Sequence, residues 1–259
     1  MTMDARGFYD ELGDDYDLMV SWEERLAREE PFFRKVFADH GAESVLDAAC
    51  GTGMHAVAFA RWGLRAAAAD LSPAMVERAR RHAAAAGVEV EVREAAFGAL
   101  AAAFAAKAGS LDAVTCLGNS LPHLPDDATL VAALADMGGL LRPGGVLVVQ
   151  DRNYDRVLRE RARFMPITAR GDAAGETLFV RLTDFHGGDR LAFTILTLRR
   201  QGGEWTCSAR TTPLRGITRE TLDRALAGAG FSRVDWYGGY GFTEFDAPGT
   251  ADLVAVAEK

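Results

Sequence analysis

Two acids flank a glycine turn in the stretch VLDAACGTGMHA at 45–56. Asp47 ends an apolar run just before Gly51 and Gly53, which let the backbone bend tightly and leave no side chain between it and a ligand. Asp70 ends a second apolar run, where a carboxylate can accept hydrogen bonds from ribose hydroxyls. Because an acid before the glycines would crowd a pyrophosphate, the pattern favours a nucleoside ligand with a cationic end.

The glycines by themselves leave the ligand open. A phosphate-binding loop would need a lysine and a hydroxyl residue where Met54 and His55 stand. A dinucleotide fingerprint would place its third glycine at Ala56, which is a tolerated variant. Asp47 and Asp70 have an alternative role as helix or turn caps, which are common at such junctions.

Three further polar side chains follow later strands. Arg152 comes directly after the fifth expected strand, and its planar guanidinium suits a bidentate pair with a carboxylate. The alternative is a surface ion pair with Asp151 or Asp155. Asn119 offers a ligand both donors and acceptors, whereas His123 is either a ligand contact or a satisfied loop histidine.

An alternation of strand and helix patterns must position these residues. Residues 4–40 read as helical, amphipathic and rich in aromatic side chains. Strands are expected at 44–47, 64–71, 88–93, 111–117 and 142–150, and helices at 54–62, 72–87, 98–108 and 126–141. This order predicts an α/β fold with a doubly wound, mostly parallel, Rossmann-like sheet that binds its ligand beyond the carboxyl ends of the strands.

The pattern changes after residue 150. Residues 177–212 read as three antiparallel strands with turns at 187–188 and 202–203. A helix at 217–229 and strands at 233–237 and 252–257 then complete a seven-stranded sheet. We therefore expect residues 1–151 and 216–259 to form the core with N-terminal helices, and residues 152–215 to form an antiparallel β-meander cap over the site.

Composition restricts the partners. The 259 residues carry a formal net charge of −8, which disfavours binding to nucleic-acid phosphates. No apolar run reaches the roughly 18 residues of a membrane span. The acidic N-terminus lacks a signal sequence, and the three cysteines, Cys50, Cys116 and Cys207, have no metal-ligand spacing. The expectation is a cytoplasmic protein with reduced thiols, no metal, no membrane and no nucleic-acid partner.

Three stretches together resemble the class I methyltransferases that use S-adenosylmethionine. They are VLDAACGTG, AADLSPAMVERAR and LRPGGVLVV, and the resemblance covers most of residues 40–150. It implies that the glycine turn holds the methionine end of S-adenosylmethionine, that Asp70 holds the ribose, and that the product is S-adenosylhomocysteine. The implied cofactor-binding residues are Arg25, Asp47, Ala49, Gly51, Gly53, Asp70, Leu71, Met75, Ala96, Phe97, Leu117, Gly118 and His123.

Two more stretches, CLGNSLPHLPDD and DRNYD, resemble the glycine and sarcosine N-methyltransferases. In that subfamily the arginine of the R-N-Y-D run binds the carboxylate of the amino-acid substrate, which implies this role for Arg152. Asn119 is the second residue expected at the reaction centre. Arg25 aligns with an arginine that holds the carboxylate of the cofactor.

The chain also differs from that subfamily. Phe193 stands where a tyrosine around the amine is expected, and Ala96 replaces an aspartate near adenine, which leaves Phe97 to support the base. Four aromatic residues near the C-terminus either line a pocket or pack in the core: Trp236, Tyr237, Tyr240 and Phe242.

The expected reaction is methyl transfer from S-adenosylmethionine to a small molecule, foremost the amine of a small amino acid such as glycine or sarcosine. Alternatives are methylation of oxygen or carbon in another small acidic metabolite, a nicotinamide-dependent oxidoreductase, or a non-catalytic cofactor-binding module. The aromatic N-terminal segment permits a homo-oligomer.

Overall fold

The central sheet has seven strands in the computed structural model, which describes residues 2–171 and 175–259. The strands are β1 (Ser44–Ala48), β2 (Arg65–Asp70), β3 (Val90–Glu94), β4 (Leu111–Cys116), β5 (Leu141–Arg152), β10 (Arg233–Tyr237) and β11 (Asp252–Glu258). Their order is β10-β11-β5-β4-β1-β2-β3, and only β11 runs antiparallel to its neighbours. The predicted fold class is confirmed.

Helices cover both faces of this sheet. They are α1 (Ala5–Leu12), α2 (Asp15–Met19), α3 (Trp22–Asp39), α4 (Met54–Arg61), α5 (Pro73–Ala86), α6 (Leu100–Ala103), α7 (Asp127–Leu140), α8 (Tyr154–Glu160) and α9 (Arg219–Gly228). The helices α3, α4 and α5 pack on one face, and α6, α7 and α9 pack on the other. Every residue of β1 is buried, as expected for a parallel strand that is covered on both sides.

Several helices differ from the sequence expectation. The single helical segment at 4–40 is three helices, because the chain turns at Gly13 (φ 54°) and is extended at Val20. The alanine-rich stretch expected to be a helix over 98–108 holds only α6 and a short 3-10 turn at Ala105–Lys107. Helix α8 was not expected. Asn153 caps its N-terminus, because its side chain accepts a hydrogen bond from the backbone N–H of Arg156.

A second sheet contains four antiparallel strands in sequence order. They are β6 (Thr168–Gly171), β7 (Gly175–Phe185), β8 (Arg190–Gln201) and β9 (Glu204–Arg215). Sequence analysis predicted three strands. It missed β6, because a strand of four residues carries too little alternation to be recognised. The hairpin turns lie at the two predicted glycine pairs, all with positive φ.

Helix α1 lies between the two sheets. Its Phe8 and Leu12 are buried against Phe179 and Ile195 of the second sheet. On its other side, Asp10 accepts a hydrogen bond from the hydroxyl of Ser72, which caps α5. The N-terminal helices therefore form a wall between the carboxyl ends of the central strands and the second sheet.

Candidate functional site

The glycine turn after β1 has an unusual backbone. Ala49, Gly51 and Gly53 all have positive φ, at 58°, 55° and 77°. A Cβ on Gly53 would lie 2.6 Å from the Cβ of Ala79 on α5, so only glycine lets the turn lie against that helix. The positive φ of Ala49 is strain for a residue with a side chain, and such strain concentrates at functional sites.

We predict that Gly53→Ala lowers the free energy of unfolding by about 2–5 kcal/mol, the cost of a left-handed residue plus overpacking. Gly87→Ala is a matched control, since Gly87 also has positive φ (66°) but has open space where its Cβ would lie. The control should lose only about 1–2 kcal/mol. Urea denaturation of both variants measures the difference. Equal losses would show that contact with Ala79 does not constrain the turn.

Asp70 fastens the turn to the end of β2. The backbone N–H of Gly51 donates to its Oδ2 at 2.8 Å, and the N–H of Ser72 donates to its Oδ1 at 2.9 Å. Its capping role is therefore present in the structure. The carboxyl is buried, and that burial raises its pKa to about 6. Each oxygen has a further lone pair that can accept from a ligand.

Asp47 is enclosed beneath the turn. Its Oδ1 accepts a hydrogen bond from the hydroxyl of Thr115 at 2.9 Å, and its buried Oδ2 has no hydrogen-bond partner in the described part of the chain. Burial raises the pKa of Asp47 to about 6. An unpartnered carboxylate oxygen at this depth supplies negative charge to the site above it.

A first cavity of 200 Å³ opens beside Asp70. We refer to it as the Asp70 cavity. Its polar edge includes Gly51 and Ser72, and its walls are largely apolar, as a slot for a nucleobase would be. Other lining residues are Ala5, Arg6, Tyr9, Tyr16, Ala49, Leu71, Ala95, Ala96, Phe97, Leu100, Leu117, Gly118, Ser120, His123 and Leu124.

A second cavity of 280 Å³ lies between the N-terminal helices, the end of β5 and the second sheet. We refer to it as the Arg152 cavity. The two cavities share Tyr9, Tyr16, Gly118 and His123 as lining residues, so they are neighbours across these four residues. The Arg152 cavity is also lined by Phe8, Leu12, Met19, Val20, Arg25, Arg28, Glu29, Asn119, Gln150, Arg152, Met165, Arg181, Phe193, Ile195, Leu214, Tyr240 and Asp252. Arg28 pairs with Glu29 at 3.7 Å.

Sequence analysis did not select Tyr9 and Tyr16 as site residues. The hydroxyl of Tyr9 shares a 3.2 Å hydrogen bond with Nε2 of His123, and the ring of Tyr16 lies 3.7 Å from where a Cβ on Gly51 would be. Burial is the largest cause of the raised pKa of each tyrosine, so both hydroxyls stay protonated. The available signal was the pair of Tyr-Asp dipeptides at 9–10 and 16–17.

His123 is neutral at physiological pH, because burial lowers its pKa to about 4. Its buried Nδ1 has no hydrogen-bond partner in the described residues. The side chain therefore lies between the two cavities with one ring nitrogen still available.

Arg25 reaches the Arg152 cavity from α3. Its Nε donates to Glu29 at 2.9 Å, and the other oxygen of that buried carboxylate lies 2.7 Å from Nε2 of His55. Since His55 belongs to α4, directly after the glycine turn, this chain of contacts fixes Arg25 relative to the turn. The guanidinium also lies over the Trp22 ring, with 5.3 Å to the ring centroid.

Asn119 holds the end of β5 through its side chain. Its Oδ1 accepts from the backbone N–H of Arg152 at 3.1 Å, and its Nδ2 donates to the hydroxyl of Tyr154 at 3.1 Å. It has positive φ (71°), so the backbone after β4 is strained like that after β1. Asn119 thus positions Arg152 as well as lining its cavity.

The guanidinium of Arg152 has no carboxylate partner within residues 2–171 and 175–259. The ion pair with Asp151 or Asp155, which sequence analysis left open, is absent there: Asp151 is buried with both oxygens unpartnered, and Asp155 accepts from the backbone N–H of Arg219. The charge of Arg152 is therefore available in its cavity.

Three of the expected cofactor-binding residues do not line either cavity. Asp47 is enclosed, Gly53 contacts α5, and Met75 is buried at the start of α5. These three residues support the turn and helix α5 beneath the residues that line the cavities. Among the C-terminal aromatics, Tyr240 lines the Arg152 cavity, while Tyr237 and Phe242 pack against Phe32 and Trp236 packs beside the core under α9.

The described ranges contain neither a metal-binding cluster nor a membrane-spanning helix. No group of three or more histidine, cysteine or acidic side chains there is arranged to hold a metal ion. No helix of residues 2–171 and 175–259 has the length and apolar content to cross a bilayer.

Residues 45–145 match the family described as a methyltransferase domain. The chain is also 36% identical over 151 residues to the glycine/sarcosine N-methyltransferase of Parasynechococcus marenigrum. That alignment covers 58% of this chain and 52% of the relative, so the chain spans about half the length of the curated relative it matches.

Several solved structures match nearly the whole chain, among them two methyltransferases. The sugar N-methyltransferase KedS8 from Streptoalloteichus has a TM-score of 0.73 and 25% identity, with 96% of this chain and 94% of that chain covered. An S-adenosylmethionine-dependent methyltransferase from Clostridium acetobutylicum has a TM-score of 0.76 and 17% identity, with 97% and 96% covered. Because the Clostridium structure is only 17% identical in sequence, its likeness shows a shared fold and nothing more.

Proposed function

We propose that this chain, which carries a methyltransferase domain of the S-adenosylmethionine-dependent class, methylates the amine of a small amino acid such as glycine or sarcosine. One observation carries the proposal. A cavity next to the Asp70 cavity presents the guanidinium of Arg152, which has no carboxylate partner among the described residues and suits a substrate carboxylate.

The residues present fit S-adenosylmethionine. Asp70 has lone pairs for ribose hydroxyls, the apolar walls of its cavity suit adenine, and the unpartnered oxygen of Asp47 suits a cation. Arg25, held by Glu29, would bind the carboxylate of the methionine end. When bound, S-adenosylmethionine supplies a methyl group activated by a positive sulfur.

The protein's own part is alignment and exclusion of water. Arg152 would bind the acceptor by its carboxylate, and Asn119 would keep Arg152 at the cavity by holding its backbone. Tyr9 and His123, which are hydrogen-bonded to one another, would separate the acceptor from the nucleoside. Alignment of two bound reactants can contribute on the order of 7–11 kcal/mol to lowering a barrier.

An acceptor oxygen is a second candidate, supported by His123. A neutral imidazole with an unpartnered Nδ1 can take a proton from a hydroxyl, which an amine acceptor that arrives neutral does not require. The apolar Phe193, in place of the expected tyrosine, also leaves the amine with fewer polar contacts on the cap side.

Product mass tests the proposal. The protein is incubated with S-adenosylmethionine and a panel of small amino acids, hydroxy acids and amines, and the products are analysed by mass spectrometry. The expected result is S-adenosylhomocysteine together with an N-methylated amino acid. If only hydroxy acids were methylated, the acceptor atom would be oxygen and not nitrogen. If S-adenosylmethionine bound but no methylated product formed, the protein would be a non-catalytic cofactor-binding module.

The affinity for S-adenosylmethionine should rise with pH between about 5 and 7. Burial raises the pKa of both Asp47 and Asp70 to about 6 in the free protein, so both carboxyls gain negative charge over this range. A cation and ribose hydroxyls bind the ionised forms better. Titration calorimetry at a series of pH values measures the dependence. Asp47→Asn should make it weaker but leave the part that Asp70 contributes. An affinity that does not change with pH in the parent protein would contradict this role for the acids.

Thermal unfolding at a series of pH values tests whether the pKa values of Asp47 and Asp70 are raised in the folded protein. Because their pKa values in the fold lie above the ordinary value of 3.8, the two acids bind protons more tightly in the folded protein than in the unfolded chain. Their contribution to the free energy of unfolding therefore falls as pH rises from about 4 to about 6 and is constant above that range. Bound S-adenosylmethionine should oppose this loss.

A further inference from the structure

Arg181 extends from the second sheet into the Arg152 cavity. It lies on β7 directly opposite Ile195 of β8, and both side chains line the cavity. Its Nη2 donates to the carbonyl of Pro166 and to the hydroxyl of Thr168, both at 3.2 Å. Its buried Nε has no hydrogen-bond partner in the described part of the chain. The guanidinium thus has unused donors inside a cavity.

Four other arginines of the second sheet are paired with acids. Arg199 and Arg210 pair with Asp15 on α2, Arg200 pairs with Glu176, and Arg215 pairs with Asp127 and Asp189. Arg170 instead donates to backbone carbonyls of α2, and Arg190 is exposed without an acid partner among the described residues. Arg181 forms no such pair within the described ranges. An unpaired charge in a partly buried place is unfavourable unless something else compensates it.

The same cavity therefore contains two guanidinium groups without carboxylate partners, Arg152 and Arg181. Burial, and after it the positive charge of Arg152, lowers the pKa of Arg181. The acids on the cavity wall are engaged elsewhere: Glu29 with Arg25 and His55, and Asp252 with the side chain of Gln150 at 3.0 Å. Two neighbouring cations that repel one another favour a ligand with more than one negative charge.

We propose that Arg152 and Arg181 together bind an acceptor with two anionic groups, so that the preferred substrate is an amino acid with a second carboxylate or a phosphate. This inference rests on the proposed methylation of an amino acid and specifies its substrate class. Arg152 binds the group nearer the central sheet and Arg181 binds the group nearer the second sheet.

The rest of the cavity suits such a molecule. Between the sheets its wall is largely apolar and includes Phe8, Leu12, Met165, Phe193, Ile195 and Leu214. These side chains can contact the short aliphatic stem that joins two anionic groups. Phe193 fits this picture, because a substrate anchored at both ends needs fewer polar contacts between them.

Steady-state kinetics with two matched variants tests the pair. Arg181→Gln removes the charge in the cavity, and Arg190→Gln removes an exposed arginine from the same sheet. The acceptors are glycine and sarcosine with one anionic group, aspartate and glutamate with two carboxylates, and O-phosphoserine with a phosphate. We expect the parent to favour the doubly anionic acceptors, and Arg181→Gln to lower their kcat/KM by about tenfold to a hundredfold. The kcat/KM of Arg181→Gln for glycine and sarcosine should differ little from that of the parent. Arg190→Gln should resemble the parent with every acceptor.

Different results overturn the inference. A parent that prefers glycine or sarcosine contradicts it, as does an equal loss for all acceptors in Arg181→Gln, which would indicate that Arg181 only braces Pro166 and Thr168. The ratio of losses for aspartate and O-phosphoserine distinguishes a carboxylate site from a phosphate site.

A binding measurement separates this inference from the proposed reaction. Succinate and acetate, at equal ionic strength, are added to the protein saturated with S-adenosylhomocysteine, and the melting temperature is recorded. Succinate should raise the melting temperature more than acetate in the parent and in Arg190→Gln, but not in Arg181→Gln. Methylated products without this difference would support the proposed function and reject the two-arginine site. The difference without any product would reject the proposed function alone.

Discussion

Arg152→Ala is expected to lower kcat/KM for the amino-acid acceptor on the order of 30- to 1,000-fold, with most of the change in KM. Arg152 is the unpaired cation at the end of β5, and loss of a charge-assisted, partly buried pair costs about 2–4 kcal/mol. Arg152 is absent from the Asp70 cavity, and Arg25 rather than Arg152 is the proposed partner of the cofactor's carboxylate, so the affinity for S-adenosylhomocysteine should change far less than KM.

A neighbouring arginine provides the control for that experiment. Arg159 lies on α8, is exposed, and pairs with Glu160 outside both cavities, so Arg159→Ala should retain the parent's KM. Arg152→Lys keeps the charge but not the planar fork and should fall between parent and alanine variant. Equal KM values for Arg152→Ala and the parent would remove Arg152 from the substrate site.

Asp70→Asn is expected to weaken binding of S-adenosylhomocysteine on the order of 30- to 1,000-fold. The carboxylate accepts from the N–H groups of Gly51 and Ser72, and an amide would have to turn its NH₂ group toward one of those donors. One backbone donor would lose its partner and the ribose would lose an ionised acceptor, which together cost about 2–4 kcal/mol. Titration calorimetry measures the change.

Asp112→Asn is the matched control for Asp70. Asp112 lies at the amino end of β4, away from the site at the carboxyl ends of the strands. It accepts hydrogen bonds from the backbone N–H groups of Glu43 and Ser44 and pairs with Arg142. Asp112→Asn should lower the free energy of unfolding without lowering the affinity for S-adenosylhomocysteine. If Asp70→Asn bound S-adenosylhomocysteine as tightly as the parent, Asp70 would be a turn cap and not a ribose ligand.

Much of the fold was predictable because the local signals agree with the tertiary structure. Ser72 and Pro73 begin α5 and Gly87 ends it in a left-handed conformation, as their types indicate. The stretch at 98–108 misled because alanine favours helix everywhere, whereas the structure ends α6 after Ala103. At the start of α6, the carboxylate of Asp136 on α7 accepts hydrogen bonds from the N–H groups of Leu100 and Ala101, a contact that no local pattern reveals.

The site was predictable where it is built from the loops after strands. The Asp70 cavity follows from the glycine turn and the end of β2, which are close in sequence. The tyrosines of the N-terminal helices were missed because distant contacts place those helices: Asp17 accepts from the hydroxyl of Thr52, as Asp10 does from that of Ser72. Arg181 was missed for the same reason. The periodicity of β7 indicates on which face of the second sheet Arg181 lies, but not that this face lines a cavity.

The most direct test of the account is a calorimetric titration of the parent protein with S-adenosylhomocysteine and, separately, with NADH and pyrophosphate. We expect S-adenosylhomocysteine to bind at one site per chain and to bind more weakly to Asp70→Asn. We expect NADH and pyrophosphate not to compete with it. Saturable binding of NADH or pyrophosphate in place of S-adenosylhomocysteine would contradict it.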